Sequence, residues 1–165
     1  MNIFLLLACA RAADPALVTV PELDLERYAG TWYEISRFEN RFEKGCEAVT
    51  ATYALRDDGK VGVTNVCRKG AVDGEEKSST GLARRPDPAV PGALEVSFFR
   101  PFWGDYQVIA LGPDYGWSVV GTPDREYLWV LSRTPALPDD VYATALAAAE
   151  AQGFATSQLR PTQQR

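Results

Sequence analysis

The feature that most limits what this chain can become is a succession of short alternating segments, each of strand length and each closed by a turn signal. The first runs Gly30-Thr31-Trp32-Tyr33-Glu34-Ile35-Ser36-Arg37-Phe38. Val49 to Leu55 follows, then the hairpin turn Asp57-Asp58-Gly59 and a return over Val61 to Val66. A polar loop from Gly70 to Glu76 leads to a weaker strand, about Lys77 to Arg84, which stops at Arg85-Pro86-Asp87-Pro88, where two prolines forbid a central ladder. Leu94 to Phe99 alternates cleanly, and Pro101-Phe102-Trp103-Gly104 reads as an aromatic turn into Asp105 to Leu111. Trp117 to Gly121 and Glu126 to Arg133 complete the series. The pattern predicts an all-β domain of eight antiparallel strands in sequence order. Short hairpin-type connections favour an up-and-down barrel over a sandwich, and eight strands leave room for one small ligand.

One helix is expected outside the barrel, over about 138–152. Pro138 suits its first position, Asp139 and Asp140 suit the positive end of its dipole, and Gly153 suits its stop. Tyr142, Leu146 and Ala149 share the side expected to face the sheet. Phe154 to Leu159 adds a further edge segment. The domain plan is a leader and tether over 1–22, a barrel domain over 23–160 and a tail over 161–165.

At 165 residues, 46% hydrophobic and 24% charged, the chain suits one globular domain with a real core. A formal net charge of −5 argues against a nucleic-acid partner, which needs clustered Lys and Arg. Histidine is absent. That removes Ser-His-Asp and Cys-His catalysis and the commonest ligand of zinc and haem. No metal and no cofactor are expected.

Residues 3–8 form a short apolar run ahead of Cys9-Ala10-Arg11-Ala12-Ala13, which reads as a signal peptide without its usual basic start. Leu6-Leu7-Ala8-Cys9 resembles a bacterial lipobox, in which Cys9 would be acylated and anchor the protein to a membrane. The alternative is cleavage at Ala10-Arg11-Ala12. Cys46 and Cys67 lie near the outer ends of two strands joined by the Asp57-Asp58-Gly59 hairpin, which brings them roughly opposite each other. They are either two free buried thiols or a disulfide bond, and export favours the disulfide, worth about 3 kcal/mol. Cys9 is then the odd cysteine, for which lipidation supplies a use.

The lead-in Leu25-x-x-Tyr28-x-Gly30-Thr31-Trp32-Tyr33-Glu34-Ile35 and the segment Val49-Thr50-Ala51-Thr52-Tyr53-x-Leu55 resemble the lipocalin family, specifically its bacterial outer-membrane lipoprotein branch, akin to apolipoprotein D. Val96-Ser97-Phe98-Phe99-x-Pro101-Phe102, Tyr106-x-Val108-Ile109-Ala110-Leu111 and Tyr127 to Pro135 extend the match over residues 23–154. The family's usual Thr-Asp-Tyr keeps Asp114-Tyr115 here, with Pro113 in place of the threonine. The resemblance implies a calyx, closed at one end, for lipid binding and transport in the periplasm: fatty acids, lysophospholipids or similar amphiphiles.

Family barrels point the residue at Trp32 into their closed end, and alternation extends that anchor to a list. Trp32, Glu34, Ser36 and Phe38 are expected inward on the first strand. Val49, Ala51 and Tyr53 follow on the second, and Val61, Val63 and Asn65 on the third. Leu94, Val96 and Phe98 form another set, then Tyr106, Val108 and Ala110, then Val119 with Gly121, and lastly Tyr127, Trp129 and Leu131. These are mostly apolar, as in a ligand pocket. They would equally fill a solid core, although Ala51, Ala110 and Gly121 are small where a filled core wants bulk. Gly30, Trp32 and Arg133 are structural, with Arg133 laid over the Trp32 indole in a cation–π contact. Glu34 is an inward carboxyl, either paired with nearby Tyr or Arg groups or set to meet a ligand headgroup.

The leading expectation is a non-catalytic carrier or store of small hydrophobic ligands, a monomer or weak dimer. It would sit on the periplasmic face of the outer membrane as a lipoprotein, or be soluble in the periplasm if cleaved. A tetrapyrrole or other pigment carrier is the alternative. A lipid-modifying enzyme ranks below both, because Glu34, Glu43, Glu47 and Asp57-Asp58 come with no paired base or nucleophile.

Overall fold

The computed structural model describes residues 15–164; Cys9, most of the leader and Arg165 lie outside the described residues. A four-residue helix, α1 (Leu25–Tyr28), is capped by Asp24, whose side chain accepts from the amides of Glu26 and Arg27. Eight strands follow: β1 (Gly30–Phe38), β2 (Cys46–Leu55), β3 (Val61–Lys69), β4 (Glu76–Arg84), β5 (Ala93–Phe99), β6 (Phe102–Leu111), β7 (Trp117–Gly121) and β8 (Leu128–Ser132). Helix α2 (Asp139–Glu150), a 3-10 turn (Thr156–Gln158) and a short β9 (Leu159–Pro161) complete the chain.

Each of β1 to β8 pairs antiparallel with its sequence neighbour, and β1 pairs with both β2 and β8, so the sheet closes into a barrel. The turn expected over Pro101 to Gly104 is tighter than that: β6 begins at Phe102, which faces Phe99 across the hairpin. Pro138 is the cap of α2 rather than its first residue, as a residue without an amide hydrogen allows. Ala145 and Ala149, not Leu146, are its fully buried contacts.

Two cores result. Inside the barrel, Trp32, Tyr53, Val61, Val63, Leu94, Val108, Val120 and Leu131 pack with Leu23 and Tyr28. Outside it, Phe38, Ile109, Val119, Leu128, Val130 and Phe154 pack under α2. Gly121 belongs to the outer set: a Cβ there would lie 2.4 Å from the Phe154 ring, so glycine lets that ring seat flat on β7.

Register also slips between Glu47 and Thr50 on β2 and between Val96 and Phe99 on β5, but two further bulges decide which residue joins which core. The β1–β8 register slips between Glu34 and Ser36, and the β6–β7 register slips between Val108 and Ala110. Each inserts one residue and inverts the alternation beyond it.

The chain ends are more engaged than a tether and a tail imply. Val20 donates its amide to the Val108 carbonyl, and Gln152 exchanges two hydrogen bonds with the backbone of Val18. Beyond Tyr33, β1 leaves β2 and takes β9 instead. Residues 162–164 then lie between the splayed strands: the Thr162 amide donates to Ile35, Ala48 donates to Gln163, and the Gln164 side chain donates to the Glu34 and Val49 carbonyls.

Candidate functional site

The closed end is built from α1 and the start of β1. Trp32 is wholly buried, and its indole N–H donates to the Tyr28 carbonyl at 2.8 Å. The Arg133 guanidinium lies 3.9 Å from the Trp32 ring centroid. Its nitrogens donate to the carbonyls of Tyr115, Thr31, Arg27 and Ala29, tying β8 to α1 and β1. Gly30 makes this possible twice over: its φ of +92° is open to glycine, and a Cβ would sit 3.3 Å from Arg133 Nη1.

Above this floor the barrel is hollow. A cavity of about 930 Å³ opens at the other end, within the usual range for small-molecule sites. Of the residues expected inward, Glu34, Val49, Ala51, Tyr53, Val61, Val63, Asn65, Leu94, Val96, Phe98, Tyr106, Tyr127, Trp129 and Leu131 line it. Trp32 and Val108 face inward but lie beneath it, as part of the packed floor. Ser36, Phe38, Ala110 and Val119 are corrections. Ser36 is outside the barrel, accepting from the Tyr142 hydroxyl of α2 at 2.9 Å, while Phe38, Ala110 and Val119 pack in the outer core. The two bulges are the cause on β1 and β6. On β7, Ser118 and Val120 take the inward positions expected of Val119 and Gly121.

The bulge after Glu34 also turns Arg37 inward, a residue that alternation alone placed outside. Arg37 is fully buried, and its Nη1 donates to Glu34 Oε1 at 2.5 Å and to Thr162 Oγ1 at 3.0 Å. Its Nη2 donates to the carbonyls of Glu43 and Cys46. The Thr162 hydroxyl also donates to Glu34 Oε1, which leaves the second carboxyl oxygen for a proton. Burial pushes the Glu34 carboxyl up to about 8, the nearby Glu43 carboxylate adds to the rise, and Arg37 pulls against it. Two carboxyl groups face one guanidinium here, so holding a proton on Glu34 balances the charge. Glu43 in turn accepts from the Trp129 indole at 2.9 Å and from Asn40 at 2.7 Å. The signal that could have found Arg37 was Glu34 itself, since a buried carboxyl demands a partner.

Three tyrosines meet at the base of the cavity. The Tyr106 hydroxyl lies 2.9 Å from those of both Tyr28 and Tyr53, and Tyr28 lies 3.1 Å from the Ser118 hydroxyl. Burial raises all three phenols above their ordinary range, so they are neutral. At the mouth, the disulfide Cys46–Cys67 joins β2 to β3 with a Cα–Cα distance of 5.4 Å. Phe42, Phe99 and Phe102 stand 66%, 76% and 70% exposed on the rim, where the cations Arg41, Lys69 and Lys77 share the opening with Glu43, Asp105 and Asp124.

Comparison with known proteins agrees with this architecture. Residues 23–164 match the lipocalin-like domain family. The chain is 48% identical to the outer membrane lipoprotein Blc of Escherichia coli (strain K12) over 164 residues, covering 98% of this chain and 91% of that one. It is 32% identical to apolipoprotein D of Rattus norvegicus, over 71% of this chain and 64% of the other. Among solved structures, insecticyanin from the tobacco hornworm Manduca sexta superposes with a TM-score of 0.71 at 20% identity, covering 90% of this chain and 84% of that one. At that identity the likeness speaks to the fold alone.

Proposed function

The chain belongs to the lipocalin-like family, and from that premise we propose that it binds and carries membrane-derived amphiphiles, fatty acids and lysophospholipids, without catalysis. The observation that carries this reading is the hollow. A solid barrel of the same strands would bind nothing, whereas this one holds about 930 Å³ behind an opening wide enough to be rimmed by three phenylalanines. Its wall is apolar over most of its depth, which suits an acyl chain, and Arg41 and Lys69, set among the mixed charges of the mouth, offer cations to an anionic head. The non-catalytic reading is supported by Glu34, whose carboxyl is taken up by Arg37 and Thr162 rather than held free beside a nucleophile.

The relatives named outer membrane lipoprotein support placement in the cell envelope, with Cys9 as the acylated residue. Intact mass of protein purified from its own membranes would show the acyl chains, the disulfide and any retained lipid together. A mature mass matching cleavage after Ala12 would overturn the anchor and leave the carrier untouched.

The carrier is tested by titration with lysophospholipid or palmitic acid. Trp103 and Trp129 line the cavity and Trp32 does not, so the emission change should vanish in the double variant Trp103→Phe/Trp129→Phe and survive in a variant altered only at the rim phenylalanines. No emission change and no copurifying lipid would end the proposal.

A further inference from the structure

The base of the cavity is polar in a way that a plain acyl chain does not use. Ser118, Tyr28, Tyr106 and Tyr53 form a line of four hydroxyls joined by three contacts of 3.1, 2.9 and 2.9 Å. Each hydroxyl brings one proton and two lone pairs. Three links use three protons, so one O–H is left over, at an end of the line or on Tyr28 or Tyr106 within it. Ser118, at one end, is wholly buried under the floor. Tyr53, at the other, lines the cavity. Protons running towards Tyr53 make it a donor into the hollow; protons running the other way make it an acceptor. Higher on the same wall, Asn65 also lines the cavity, and its buried Oδ1 has no hydrogen-bond partner among the described residues. Asn65 faces Ala51, two residues before Tyr53 on β2, so the two polar stations lie roughly 7 Å apart along the sheet.

We infer that the deep end of this cavity recognises a hydroxyl group, and that the preferred ligand is a long-chain amphiphile with an anionic head at the mouth and a hydroxylated chain within. This rests on the carrier reading above and names the ligand class. A hydroxyl both donates and accepts, so one at the chain end completes the Tyr53 line in either proton orientation, and a second one higher on the chain would supply the donor that Asn65 Oδ1 lacks. A ketone supplies no donor. A carboxylate fits worse: the nearest guanidinium, Arg133, lies across the far side of Trp32 with its donors engaged by four backbone carbonyls. A carboxylate on the floor would therefore be buried without a counter-charge.

The test compares palmitic acid, its ω-hydroxy derivative and the corresponding α,ω-dicarboxylic acid, each displacing a fluorescent fatty acid from the full-length protein. The ω-hydroxy acid should bind on the order of tenfold more tightly than palmitic acid, and the diacid no more tightly. In Tyr53→Phe the ratio of the first two affinities should fall to about one. The wild-type comparison decides the matter even where the variant fails to fold. Equal affinity for palmitic and ω-hydroxypalmitic acid overturns the inference and leaves the carrier standing. Binding of none of the three overturns both. A preference that persists in Tyr53→Phe shows that the hydroxyl is read elsewhere and also overturns the assignment.

Discussion

At the closed end of the barrel Trp32 has no exposed surface, and the polar groups around it are matched: its indole to Tyr28, the Arg133 guanidinium to four carbonyls. At the open end three phenylalanines stand in solvent and the cations lie on a rim. The same strands run through both. The difference is that α1 and the start of β1 fold across one end, while β1 and β2 splay apart at the other. Stability is concentrated where the tube is stopped, and ligand access where it is not. Between them the Glu34–Arg37–Thr162 cluster and the disulfide hold the splayed wall in shape.

That contrast can be broken by mutation. Trp32→Ala removes the largest fully buried side chain and should cost about 3–5 kcal/mol in denaturant unfolding; a loss under 1 kcal/mol would mean that the floor is not where stability resides. Reducing Cys46–Cys67, or replacing both with alanine, should cost about 3 kcal/mol, showing that the mouth is held by a covalent link rather than by packing. Removing residues 161–165 withdraws Thr162 from Glu34 and Arg37, and Gln164 from the gap between β1 and β2. A loss of about 1–3 kcal/mol is expected, with faster amide exchange confined to the upper halves of those strands.

Glu34 gives a smaller effect that appears as a slope. Its carboxyl titrates at 4.5 when unperturbed and at about 8 in the fold. Between those values the folded chain keeps a proton that the unfolded chain has released. Its contribution is whole below the unfolded value and is lost as pH rises through about 8. Melting temperature should therefore fall from about pH 5 to about pH 8 and level off above that, and Glu34→Gln should flatten that fall. The smallest effect belongs to the rim: Phe99→Ser combined with Phe102→Ser should leave stability within about 0.5 kcal/mol of the parent. A larger loss would show that these exposed, mutually stacked rings brace the hairpin after all.

Much of the site could be read from the chain because a strand repeats every two residues. On β2, β3 and β8 the inward lists hold without exception: Val49, Ala51, Tyr53; Val61, Val63, Asn65; Tyr127, Trp129, Leu131. Arithmetic fails where a bulge intervenes, and neither Ile35 nor Ile109 differs in kind from an ordinary strand residue. A bulge there bends the strand and sharpens its twist as the sheet curls into a tube, and nothing in the local sequence marks which strand takes the extra residue. Ser36, Phe38 and Ala110 went outward through those bulges, and Arg37 came in.

The alternating pattern, the turn residues and the helix signals are local facts, and they were enough to predict strand order, to favour a barrel over a sandwich and to place the helix outside, while the stopper of Trp32 under Arg133 was read from the resemblance to the lipocalins. Which carboxyl meets which guanidinium, how the last residues fill a gap between β1 and β2, and how four hydroxyls line up beneath a hollow depend on groups as many as 130 residues apart. Those contacts exist only once the ladder has closed, because side chains remote along the chain meet only through the register and curvature of the finished sheet.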